Sequence, residues 1–136
     1  MIVRCLRIID ALGHELDEHP SMSVGTSYTV LEITCSPGQD PLLRVHNKRY
    51  HSDENYPGLW RSEMFEVLDP SIPSNWEVAI GGAANAGYIH IAPATWQRPG
   101  FWEDLEDWSP LSERAIQDYK KELAIILDEA GRKERG

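Results

Sequence analysis

Five histidines, two cysteines and 22 acidic residues are the groups in this chain with the chemistry for catalysis or metal binding. The run His14-Glu15-Leu16-Asp17-Glu18-His19 invites comparison with the zinc motif H-E-x-x-H. That motif works because two imidazoles four residues apart share one helical face and reach one ion, with the glutamate as base. Here the histidines are five residues apart, roughly 140° around a helix, and the segment is loop-like. His46, His51 and Asp53 lie in a polar excursion, where a folded loop could bring ligands together; a solvated loop is the plainer reading. His90 alternates with Ile89 and Ile91, so it is expected on the opposite face of its strand, as a surface or edge histidine. No G-x-S-x-G elbow is present, and neither Cys5 nor Cys35 has a basic cluster beside it to generate a thiolate. The run Gly81–Gly87 lacks the lysine and the following helix of a phosphate-cradling loop. With so many acids, no single carboxylate pair stands out. The expectation is therefore a non-enzymatic protein with no catalytic residue, no metal and no cofactor.

One stretch does stand out. Residues 96–108 hold four aromatics, Trp96, Phe101, Trp102 and Trp108, and four acids, Glu103, Asp104, Glu106 and Asp107. Trp96, Phe101 and Trp102 are expected in the core, lashing a helix to a sheet. The acids are expected at the surface, where aromatic anchors ringed by charge suit a protein interface. The candidate partner-binding set is Glu103, Asp104, Glu106, Asp107 and Trp108, with Asp53 and Glu54 of the polar excursion.

Charge narrows the partner. Thirteen basic against 22 acidic residues gives a formal charge of −9 in a chain of 136 residues. That balance argues against phosphate backbones and anionic membrane surfaces, and fits a basic protein partner. No apolar run approaches the roughly 18 residues of a membrane span, and Met1 to Asp10 lacks the pattern of a secretory signal. Cytoplasmic residence is the expectation. Adjacent strands could bring Cys5 and Cys35 together, but two free thiols suit that compartment.

The positioning elements follow from pattern. Ile2–Ile9 reads as a first strand, Gly13–Ser23 as a surface loop, and Tyr28–Cys35 as the clearest strand. Ser36–Pro41 supplies turn chemistry before a returning strand, Leu42–His46. Leu59–Asp69 begins as a turn and ends as a strand, while Trp76–Ile80 and Tyr88–Ile91 form a hairpin. Leu111, Ala115, Tyr119, Leu123, Ile126, Leu127 and Ala130 recur at helical spacing, with Ser109-Pro110 to start the helix and Gly131 to end it. The expected fold is α+β: a small, strongly bent antiparallel sheet or SH3-like barrel with a C-terminal amphipathic helix. One domain spans 1–136, mainly β over 1–108 and helical over 109–131.

Three segments carry a resemblance: Gly25–Ile33, then Met64–Asp69 leading into Ile72-Pro73-Ser74-Asn75-Trp76, then Pro93–Trp96 with Pro99-Gly100-Phe101-Trp102-Glu103-Asp104. Over about residues 24–108 the chain resembles a group of small uncharacterised bacterial immunity-like proteins with IPSNW and PGFWE elements. It departs from them after PGFWE, where Leu105–Pro110 replaces an acidic continuation. The resemblance implies a protein that neutralises a basic bacterial toxin by occluding its active or substrate site. Two other readings remain. One is a small β-barrel adaptor whose groove, lined by exposed tryptophans such as Trp60 and Trp108, takes a peptide or protein. The other is an enzyme with an acid–base site between His46 and Asp53. Nothing in the sequence sets the oligomeric state.

Overall fold

The computed structural model describes residues 1–47, 57–81, 86–107 and 112–135, with residue 107 and residues 133–135 described by backbone alone. Among the described residues nine strands and two α-helices follow one another: β1 Ile2–Cys5, β2 Ile8–Ile9, β3 Glu15–Leu16, β4 Ser27–Cys35, β5 Leu42–Val45, β6 Leu59–Arg61, β7 Phe65–Asp69, β8 Trp76–Ile80, β9 Ile89–Pro93, α1 Phe101–Asp107 and α2 Glu113–Arg135. The architecture is a bent antiparallel sheet with helices at its C-terminal end, the α+β class read from the sequence.

The spine is β4. One of its edges pairs with β5, from Val30↔Val45 to Thr34↔Leu42. Its other edge is shared in succession: β1 takes the first part, through Tyr28↔Val3, and β9 takes the last, through Ile33↔Ile91. A register shift between Val30 and Glu32 marks a bulge, which bends the strand between the two parts. The sheet therefore forks into a β1–β7 wing and a β9–β8 wing. Among the described residues β6, β7 and β8 each pair with one neighbour only, so no barrel closes and that part of the expectation is corrected. The cause is the fork, which spends one edge of β4 on two diverging wings.

Side-chain alternation sorts the two faces. Trp60, Leu43, Ile33, Ile91 and Val78 lie in one row across five strands. Arg44 and Glu32 are register partners on the other face, where His90 is paired with Thr34 in the next row. The helices cover this second face. Trp96, Phe101, Leu105, Ala115 and Ile126 are buried there, and Tyr119 and Leu123 of α2 pack against them. The apolar stripe of α2 thus does the work its spacing implies.

Several local expectations change. The first strand is broken: β1 ends at Cys5, Leu6 donates its N–H to Met64 O at 2.7 Å, and the chain turns into β2. Gly13–Ser23 is more than a loop, since β3 pairs with β2 and Met22 is buried. Gly131 does not end α2, which continues to Arg135. Its neighbour Ala130 is buried, and Arg132 pairs with Asp128 at 2.5 Å across that turn. Packing and an i,i+4 pair there offset the roughly 1 kcal/mol that a helical glycine costs. The start of α2 expected at Ser109-Pro110 lies outside the described residues.

The Ile72–Trp76 turn is architectural. Trp76 is buried, and its N–H donates to Pro73 O at 3.2 Å. The turn also clamps α2. Asn75 Nδ2 donates to Glu122 Oε2 at 2.6 Å, and the Ser74 N–H donates to the Glu129 carboxylate at 3.0 Å. The bonds from Ser74 hold the Glu129 carboxyl below its ordinary pKa.

Candidate functional site

Helix α1 begins at Pro99-Gly100. Gly100 adopts φ 80°, which a residue with a Cβ tolerates poorly, and that turn aims the chain into the helix. The N–H of Phe101 bonds Arg98 O at 3.1 Å, and that of Asp104 bonds Gly100 O at 2.9 Å. Glu103 and Asp104 stand in the first turn, where negative charge complements the helix dipole. Phe101 and Leu105 are buried one turn apart, and Trp102 packs beside them. Trp96, Phe101, Trp102 and Tyr119 form a continuous ring cluster, with centroid separations of 5.0 to 6.2 Å. The core role expected for the aromatics is the one observed.

The acids of α1 divide. Asp104 accepts a hydrogen bond from Arg98 Nη1 at 2.9 Å. Glu103 and Glu106 are exposed, one turn apart. Together with Gly58, Leu59, Arg44 and Trp102 they line a recess of about 230 Å³. Asp53, Glu54 and Trp108 lie outside the described residues, as does the side chain of Asp107, so the full partner-binding set is not assembled here.

Beneath the recess is a group that sequence reasoning missed. Glu32, 1% exposed, accepts from Arg44 Nε at 2.7 Å through Oε1. Its other oxygen, Oε2, is 3.0 Å from His90 Nε2, which must carry the proton to face an ionised carboxylate. Arg44, 5% exposed, also donates through Nη1 to Pro57 O, and its guanidinium carbon lies 3.7 Å above the Trp102 ring. Burial alone would raise the Glu32 pKa. The bond from His90 and the charge of Arg44 outweigh it and hold the carboxyl below its usual range. Burial also pushes the Tyr119 phenol up, partly countered by Arg44. His90 is therefore no edge histidine. Its strand lies between β4 and β8, and its ring is turned to the buried carboxylate. With both carboxylate oxygens engaged and almost no exposure, Glu32 offers no proton to a substrate. The group ties β4, β5, β9 and α1 together. Its signal in the sequence is a charge at the centre of each of two apolar strands, Glu32 between Leu31 and Ile33 and Arg44 between Leu43 and Val45.

A second concavity, a cleft of about 720 Å³, lies beyond β6, between the β2–β3 hairpin and the β4–β5 turn. Ile9, Leu16, Leu42 and Trp60 give it apolar walls, and Asp10, Asp40, Arg61 and Glu63 give it charge. His19 meets Trp60 edge-on, centroids 5.0 Å apart. Trp60, which the adaptor reading expected to be exposed, is half-buried and lines this cleft, while Trp108 is outside the described residues.

The other candidates come apart. His14 is exposed on the turn after β2, 3.6 Å from Asp10 through Nδ1, whereas His19 sits against Trp60. Among the described residues no group of three His, Cys, Asp or Glu side chains is placed to hold a metal ion. The backbone N–H of His46 bonds Thr29 O at 2.9 Å; His51 and Asp53 lie outside the described residues. Cys5 and Cys35 are both free thiols. Burial raises the pKa of Cys5, which removes thiolate character. Among the described residues no helix is long and apolar enough to cross a membrane. Compared with known proteins, the chain matches no family model, no curated protein and no solved structure.

Proposed function

We propose that this is a non-enzymatic binding protein whose acidic α1 face holds a basic protein partner, as an immunity protein holds a toxin. The observation that carries the reading is the rigid presentation of Glu103 and Glu106. Both are exposed, on a helix whose Phe101, Trp102 and Leu105 are packed into the core, with Trp102 against Arg44. The packed helix spares the complex the ordering of this backbone when the two carboxylates pair with lysine or arginine. The formal charge of −9 adds long-range attraction, which raises the rate of encounter with a basic surface. Toxins that act on nucleic acids hold their substrates with such surfaces. An acidic helix laid across one pairs the same cations and occludes the site. Cytoplasmic residence belongs to this reading, and the two free thiols support it.

The test begins with affinity capture from native lysate at low salt, followed by stopped-flow association with the basic protein recovered. The expected partner is stoichiometric and encoded beside this chain's gene. Its association rate should fall by about tenfold or more between low and physiological ionic strength. E103Q/E106Q should slow association several-fold and change dissociation less. An on-rate flat in ionic strength would overturn the steering mechanism.

A further inference from the structure

The Trp60 cleft is separate from the α1 face, although Leu59 borders both concavities. Its volume lies within the roughly 300–1,000 Å³ typical of binding pockets. One wall is the half-buried indole of Trp60, packed against the apolar core. Its charges do not cancel. Arg61 is already committed, with Nη1 3.4 Å from Glu63 Oε1 and Nη2 donating to Ala11 O at 3.2 Å. Setting that pair aside leaves Asp10 and Asp40, a local excess of two negative charges. Asp10 accepts the N–H groups of Leu12 and His14, each at 2.9 Å, through one oxygen. Those bonds, that from His14 foremost, hold it below the ordinary carboxylate pKa, so it is a fixed anion. Asp40 stands exposed on the β4–β5 turn. A cleft lined by an indole and two carboxylates suits a cation, by cation–π contact and by charge.

The shape selects among cations. All three residues of β6 line the cleft, and among the described residues β6 pairs only with β5. Its other edge offers backbone groups to an extended chain, as in β-augmentation. We propose that the cleft binds the lysine or arginine side chain of an extended basic segment of a protein partner, stacked on Trp60 and facing Asp10 and Asp40. This deepens the reading above and rests on the partner being basic.

The probe is a blocked pentapeptide of alternating lysine and arginine, titrated at low salt into the ¹⁵N-labelled intact chain. The comparison ligands are a neutral isostere with norleucine and citrulline, and free arginine amide. The expected result is movement of the Trp60 indole N–H and of the amides around Asp10 and Asp40, with the neutral peptide silent. D40N and W60L should each weaken binding about tenfold. W60F keeps an aromatic wall and should retain most of it, so a poorly folded W60L does not decide the outcome. E77Q, an equal charge loss on β8, should leave affinity unchanged. Movement confined to residues around Glu103 and Glu106 overturns the cleft site while leaving the α1 reading intact. No movement anywhere also overturns it, and the salt dependence of partner association tests α1 separately. Arginine amide binding as tightly as the pentapeptide overturns the peptide occupant.

Discussion

Arg44, Glu32 and Trp102 on one side of β6, and Arg61, Glu63 and Trp60 around the cleft, are the same three residue types in two settings. In the first, the ion pair is 2.7 Å long and its side chains are 6% and 1% exposed. In the second, it is 3.4 Å long and its side chains are 39% and 43% exposed. Water decides the difference. Out of water, each charge in the first group depends on its partner, and the cation is pressed onto an indole. At the surface the second pair is screened by water, and its indole lines a cleft. The first group is architecture; the second borders the cleft proposed above as a binding site.

The largest expected effect breaks the first group. R44A strands the Glu32 carboxylate in the core and should cost about 3–5 kcal/mol, read from urea unfolding. The double substitution E32M/R44M removes both charges and should recover much of that loss. If R44A costs no more than a surface pair, the two settings are not different in kind. A smaller effect comes from acid. The folded pKa of Glu32 is depressed, so its contribution is complete above its unfolded value, near pH 4.3, and is lost as pH falls through the folded value. The urea midpoint should therefore fall on acidification below about pH 4.5, and less steeply in E32M/R44M. A drop of equal steepness in both would assign the acid sensitivity to other carboxylates. The smallest effect breaks the second group: R61A should cost about 0.5 kcal/mol or less by thermal unfolding. A loss above about 2 kcal/mol would show that the bond to Ala11 O holds the β2–β3 hairpin in place.

Legibility followed the range of the interactions. Strands β4, β5 and β8, set by alternation and flanking turns, stand within a residue or so of their expected bounds. The stripe on α2 faces inward as its spacing requires. What the sequence hid was long-range. Glu32 and His90 are 58 residues apart, and nothing local announces that β9 will join β4 rather than pair only with β8. The break at Leu6 was equally hidden, because it depends on Met64 accepting its N–H. Helix α1 was missed for a different reason: seven residues are too few for periodicity to show. The acidic patch was legible as composition. That Asp104 is partly spent on Arg98 was not.

The fork at β4 also dictates an order of assembly. Its pairing with β5 closes a short hairpin, whereas its pairing with β9 must wait for Ile91 to find Ile33 across the length of the intervening chain. Loop closure of that span is entropically slow, and folds dominated by such pairings cross their barriers late. Truncating Val30 or Val45 should therefore slow refolding, while truncating Ile91 should chiefly hasten unfolding. The β9–β8 wing then joins β4 after the β4–β5 hairpin has closed. Because it carries His90 and runs directly into the Trp96 turn and α1, its arrival is the step that finishes the acidic face. A full-length chain in which that wing has come undocked would carry Glu103 and Glu106 without the packed platform that presents them.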